Sequence, residues 1–133
     1  MKKILLPIDV SERSLKTINR FKEGYTPEEA EATLLTVMEG SSHFKYGEEF
    51  ERYRQKRLQE LEDMTAQLEG YKVSTVVLQG NPGSCIVDYV KNNKFDMLIM
   101  TRSKRGVIGK LGSVASYIVR QAPNMNLLIL KED

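Results

Sequence analysis

The sequence predicts an open, doubly wound α/β fold, with a parallel five-stranded sheet covered by helices on both faces. Two observations carry this reading. Five short runs are apolar almost throughout, as strands buried on both faces must be. Between them lie four stretches whose apolar residues recur at helical spacing. Strands and helices that alternate in this way form right-handed crossovers, which set the strands parallel in one sheet.

The elements follow in chain order. Ile4-Leu5-Leu6-Pro7-Ile8 is the first strand. Asp9 follows it, and Ser11 is a good helix N-cap. Leu15, Ile18 and Phe21 or Lys22 then recur at helical spacing until Gly24 ends the helix. Thr33–Met38 is a second strand, rich in β-formers, and residues 39–47 read as a loop. From Glu48 to Glu69 the chain reads as an amphipathic covering helix. Phe50, Tyr53, Leu58, Leu61, Met64 and Leu68 share its apolar stripe, and oppositely charged residues fill the other faces. Val73–Leu78 is the third strand. Gly80-Asn81-Pro82-Gly83 is a turn, Ser84 an N-cap, and Ile86, Val87 and Val90 a core-facing stripe. Phe95–Met100 is the fourth strand, and residues 101–111 form a basic loop with glycines. Ala115, Ile118, Val119 and Ala122 form the last helical stripe, stopped by Pro123, and Leu127–Leu130 is the final strand.

Composition bounds what such a chain does. A length of 133 residues fits one domain spanning 1–133, large enough for a core without staples. Hydrophobic residues make up 41% and charged residues 29%, which suits a folded globular chain rather than a disordered one. The single cysteine, Cys85, excludes an internal disulfide and a cysteine-rich zinc site. No apolar run approaches the ~20 residues of a membrane span, and the apolar stretch after Met1-Lys2-Lys3 is too short for a signal peptide. The expected location is cytoplasmic, with no membrane partner.

The net charge of +2 conceals an asymmetry. From Met97 to Lys131 there is no acidic side chain, but there are Arg102, Lys104, Arg105, Lys110, Arg120 and Lys131. A basic loop at 102–110 favours anions, and it reads equally as a solvated loop that keeps the chain soluble. In doubly wound folds ligands bind beyond the carboxyl ends of the strands. Asp9 and the segment Thr101–Ser113 follow the first and fourth strands there.

Catalytic signatures are missing from this sequence. His43 is the only histidine, and no glycine-flanked serine elbow accompanies it. One His and one Cys do not make a metal site. Cys85 falls in the first turn of a helix, where its pKa would be lowered, but its apolar neighbours Ile86 and Val87 suit a buried, inert thiol. Asp9 has no adjacent acid, unlike the acidic pair of receiver domains. The stretch Val10–Ser14 has no glycine, unlike the loop of pyrophosphatase-type ATP enzymes. Gly109-Lys110 is followed by Leu111, which excludes a Walker loop. Basic residues confined to one loop, without interleaved aromatics, argue against nucleic acid. Gly106, Gly109 and Gly112-Ser113 remain as the most informative segment, because Gly112-Ser113 opens a helix whose free N–H groups attract anions.

Taken together, these segments resemble the universal stress protein family over nearly the whole chain. Lys2–Ser11 with Ser14 resembles that family's opening strand and turn, and Leu34–Val37 its second strand. Gly80-Asn81-Pro82 before Ile86 resembles its third junction, Asp96–Met100 its fourth strand, and Gly112–Ala115 through Ala122-Pro123 its last helix. The resemblance implies a sheet in the order 3-2-1-4-5 and a homodimer joined through the last strand.

The family divides into members that bind ATP and members that do not. The binding motif is Gly, two residues, Gly, nine residues, then Gly-Ser or Gly-Thr. Here only Gly112-Ser113 is intact. Counted back nine from Gly112, the first two glycines become Ile99 and Arg102; aligned instead on the end of the fourth strand, they become Thr101 and Lys104, with seven residues before Gly112. The resemblance implies Pro7, Asp9 and Val37 around an adenine base, with Met100 as its floor. It implies Thr101, Gly112, Ser113 and Val114 on the phosphate side, where Lys104, Arg105 and Lys110 substitute for missing backbone contacts. The ligand implied is ATP or AMP, with Mg if ATP. The shortened loop implies weak, salt-dependent binding. It also favours a dimeric, non-enzymatic stress-response module over the alternative, a nucleotide-binding switch or slow ATPase.

Overall fold

The computed structural model describes residues 1–9, 11–39, 47–102, 113–122 and 124–132. Five strands and four α-helices alternate: β1 (Lys2–Pro7), α1 (Glu12–Gly24), β2 (Ala30–Met38), α2 (Glu48–Met64), β3 (Val73–Gln79), α3 (Pro82–Asn92), β4 (Met97–Arg102), α4 (Ser113–Gln121) and β5 (Asn126–Lys131). A 3-10 turn over Thr65–Leu68 extends α2. The sheet order is β3-β2-β1-β4-β5, and every pair is parallel. The predicted fold class and strand order are both observed.

β1 is the centre of the sheet, and its sequence shows why. Ile4, Leu5 and Leu6 are all fully buried, because alternate side chains enter cores on opposite faces. Ile4, Leu6 and Ile8 join Ile18 and Phe21 of α1 and Leu61 of α2 on one face. Leu5 joins Ile86, Val87 and Val90 of α3 and Ala115 and Ile118 of α4 on the other. Helices α1 and α2 therefore cover one face, and α3 and α4 cover the other.

Four local readings change, the first being Tyr53, which is exposed at 37% rather than part of the buried stripe of α2. Leu15 is 44% exposed, and the buried stripe of α1 is Ser14, Thr17, Ile18 and Phe21. The two hydroxyl residues tolerate burial because each is hydrogen-bonded: Ser14 to Asp9, and Thr17 to Thr101 at 2.9 Å. Val119 is likewise exposed on α4. The cap of α3 is Asn81, not Ser84. The Asn81 side chain accepts from the Ser84 N–H at 3.1 Å, and Pro82 occupies the first helical position, which needs no N–H.

The turn before α3 requires its glycine. Gly80 has φ +136°, and a Cβ there would stand 3.0 Å from the Cys85 sulfur. Gly80→Ala should cost about 1–3 kcal/mol through that backbone conformation. Chemical denaturation measures it, and a loss below ~0.5 kcal/mol would show that the turn relaxes freely.

Candidate functional site

A cleft of ≈ 300 Å³ opens beyond the carboxyl ends of the strands. That is the small end of the range for small-molecule clefts, about 300–1,000 Å³. It lies where the crossovers diverge: β1 pairs with β2 on one side and with β4 on the other. The end of β1 gives Pro7, Ile8 and Asp9, and β2 gives Leu35, Thr36, Val37 and the following Glu39. β4 gives Met100 and Thr101. Helices close the walls with Arg13, Ser14 and Thr17 of α1, Pro82 and Ile86 of α3, and Val114 of α4.

Of the residues expected from the sequence, Pro7, Asp9, Val37, Met100, Thr101 and Val114 come together here. Ser113 starts α4 at an exposed position and does not line the cleft. Gly112, Lys104, Arg105 and Lys110 lie outside the described residues, as does His43. The cleft walls that the sequence patterns do not single out are Ile8, Leu35, Thr36 and Glu39 near the strand ends and Arg13, Ser14, Thr17, Pro82 and Ile86 on helices. For Arg13 a signal existed, since it stands four residues after Asp9 and Ser11 begins a helix between them.

Asp9 is the most heavily engaged polar group of the cleft. Its Oδ1 accepts from the Ser11 N–H at 3.1 Å, from the Ser11 hydroxyl, and from the Ser14 hydroxyl at 3.3 Å. Its Oδ2 pairs with the Arg13 guanidinium. Its own N–H donates to Ser14 Oγ at 3.1 Å. Burial pushes the Asp9 carboxyl up, but the Ser11 and Arg13 hydrogen bonds and the Arg13 charge outweigh it and hold the group below its ordinary 3.8.

That depression fixes a sign. A carboxylate with a lowered folded pKa contributes stability above its unfolded pKa and loses it as pH falls through the folded value. Asp9→Asn should therefore reduce the loss of stability below about pH 4, read as the urea midpoint against pH. Parallel curves for the two proteins would refute this.

Thr101 is the first motif position when the motif is aligned on the end of the fourth strand. It lies in extended β4 opposite Leu130 and is 8% exposed. Its hydroxyl is turned to Thr17, so at this position a β-branched residue suits the backbone and ties β4 to α1. Cys85 is half-buried in the first turn of α3, and its Sγ donates to the Gln79 carbonyl at 3.4 Å. Burial, then the nearby Asp88 charge, pushes its thiol up, against the lowering expected from a helix start.

Chemically, largely apolar walls with a few convergent polar groups suit a small organic ligand that carries a polar end. Among the described residues no group of three or more His, Cys, Asp or Glu comes together to hold a metal, and no helix is long and apolar enough to cross a membrane. The model of the universal stress protein family matches residues 1–130. The chain belongs to the universal stress protein family. Among solved structures, hypothetical protein MJ0577 is 30% identical with a TM-score of 0.78, and the match covers 99% of this chain and 96% of that one. A universal stress protein in complex with cAMP is 18% identical, with a TM-score of 0.73, over 98% of this chain and 96% of that one. A universal stress protein family member from Arabidopsis thaliana with AMP bound is 18% identical, with a TM-score of 0.69, over 100% of this chain and 93% of that one. At those last two identities the likeness is one of fold. Among curated proteins none matches the chain.

Proposed function

We propose that this universal stress protein binds an adenine mononucleotide in the cleft and acts as a nucleotide-responsive stress-response module. The observation that carries the reading is the convergence of Pro7, Asp9, Val37, Met100, Thr101 and Val114 on one cleft. The cAMP and AMP complexes of structurally similar proteins support it. The base lies between the Pro7, Val37 and Met100 side chains, near Asp9, and the phosphate points toward the start of α4. Gly112, Ser113, Lys104, Arg105 and Lys110 are assigned to that phosphate end. Mg accompanies the ligand only if it is ATP. No residue is assigned a hydrolytic role.

Mass spectrometry of ligand released from freshly purified protein, with calorimetry on AMP and GMP, tests the reading. Bound adenine nucleotide, or an affinity for AMP that exceeds that for GMP, is expected. No release and no heat with either nucleotide would refute it. Affinity should also fall with added salt, because exposed charges are screened over about 8 Å at physiological ionic strength.

The edge of the sheet supports a second element of the reading, a homodimer through β5. β5 pairs with β4 on one side only, and Leu127–Leu130 are half-buried. Such an edge is a template for antiparallel pairing with a second copy. Light scattering at tens of micromolar protein should give about twice 15.2 kDa. A monomer mass would remove the dimer and leave Lys131, Glu132 and Asp133 as protectors of the edge.

A further inference from the structure

We propose that Arg13 is an anion-binding residue of the cleft and that the Glu132 carboxylate is its internal competitor. This rests on the nucleotide reading and adds to it the residue that holds the phosphate and the device that tunes it. The charged residues among the described lining are Asp9, Glu39 and Arg13. Two of these repel a phosphoryl group, and Arg13 alone of the three attracts one.

The position of Arg13 is fixed from its own helix. The Thr17 hydroxyl donates to the Arg13 carbonyl at 3.2 Å and meets the Thr101 hydroxyl at 2.9 Å, both groups being buried. Arg13 therefore stands beside the carboxyl end of β4, in the wall that α1 gives the cleft.

Its guanidinium is divided between two acids. Nη2 serves Asp9, while Nη1 reaches Glu132 Oε1 at 3.4 Å, just beyond β5. The Glu132 contact is single and long, and the two side chains are 25% and 28% exposed. One N–O contact at 3.4 Å is weaker than a forked pair at hydrogen-bonding distance. A phosphoryl group carries more charge than one carboxylate and accepts both arms of an arginine fork. It takes Nη1 from Glu132, while Nη2 keeps Asp9 with one of its two hydrogens and offers the other to the phosphoryl group. Until then the carboxylate after the last strand occupies the arginine that the ligand needs.

The test compares adenosine with AMP, by calorimetry at fixed salt, on the native protein, Glu132→Gln, Arg13→Met and the double variant. The readout is the ratio of the adenosine Kd to the AMP Kd, which isolates the phosphate. Glu132→Gln should raise the ratio about two- to fivefold. Arg13→Met should lower it about tenfold, with Arg13→Lys in between because it keeps the charge and loses the fork. In the Arg13→Met background, Glu132→Gln should add nothing. An unchanged ratio in Arg13→Met, or a Glu132→Gln gain that survives without Arg13, would overturn the proposal while leaving the nucleotide reading intact. Failure of both adenosine and AMP to bind any variant would overturn the two together. If Arg13→Met does not fold, Arg13→Lys and Glu132→Gln decide alone, with an unchanged ratio in both counting against the proposal.

Discussion

Phe21→Ala should destabilise the fold by about 3–5 kcal/mol, the usual cost of emptying a fully buried aromatic site. Phe21 is fully buried. Its ring lies 5.1 Å from Tyr71 and 5.7 Å from Tyr25, and it shares a core with Ile4, Leu6 and Ile18. The cavity cannot collapse easily, because the Tyr71 hydroxyl donates to the Tyr25 carbonyl at 2.6 Å and holds that ring in place. Leu15→Ala is the control on the same helix. Leu15 is 44% exposed, so its loss should cost no more than about 0.5 kcal/mol. Urea denaturation of the two variants reads the phase of α1 directly. Equal losses would mean that Leu15 shares the core and that the helix is rotated from its described position.

Val37→Trp should weaken AMP binding roughly 10- to 100-fold, the scale on which an overfilled site costs energy. Val37 is half-buried at the end of β2, opposite Leu78 of β3, and it lines the cleft. An indole there takes up much of a space of ≈ 300 Å³. A thermal melt separates this effect from unfolding. If the variant stays folded and binds AMP as the native protein does, the ligand lies elsewhere.

Strand identities were legible because a strand buried on both faces carries apolar residues without a break. Ile4-Leu5-Leu6 and Leu98-Ile99-Met100 show this directly, and all six are buried. Strand ends were less legible. β2 begins at Ala30, earlier than its apolar run implies, because Glu31 pairs in register with Lys3 at the exposed end of the sheet. The phase of α1 is hidden in the sequence for a related reason. Ser14 and Thr17 are polar by type, and their burial depends on partners in Asp9 and Thr101 that the local sequence does not reveal. Of the cleft, Asp9 and Thr101 were legible from the fold class, which places ligands beyond the strand ends, and Pro7, Val37 and Met100 through the family resemblance. The walls from helices were not. Pro82 and Ile86 reach the cleft only through the packing of α3, and Arg13 reaches it only because Ser11 starts α1 so close to β1.

The proposed seat of the adenine mononucleotide is the cleft at the carboxyl ends of β1, β2 and β4. Backbone amide NMR during titration with AMP tests it most directly. Shifts should concentrate at Ile8–Asp9, Thr36–Glu39, Met100–Arg102 and Ser113–Val114, with little change at the opposite end of the sheet around Lys2, Ala30 and Met97. Shifts centred away from those segments, or none at millimolar AMP, would contradict it.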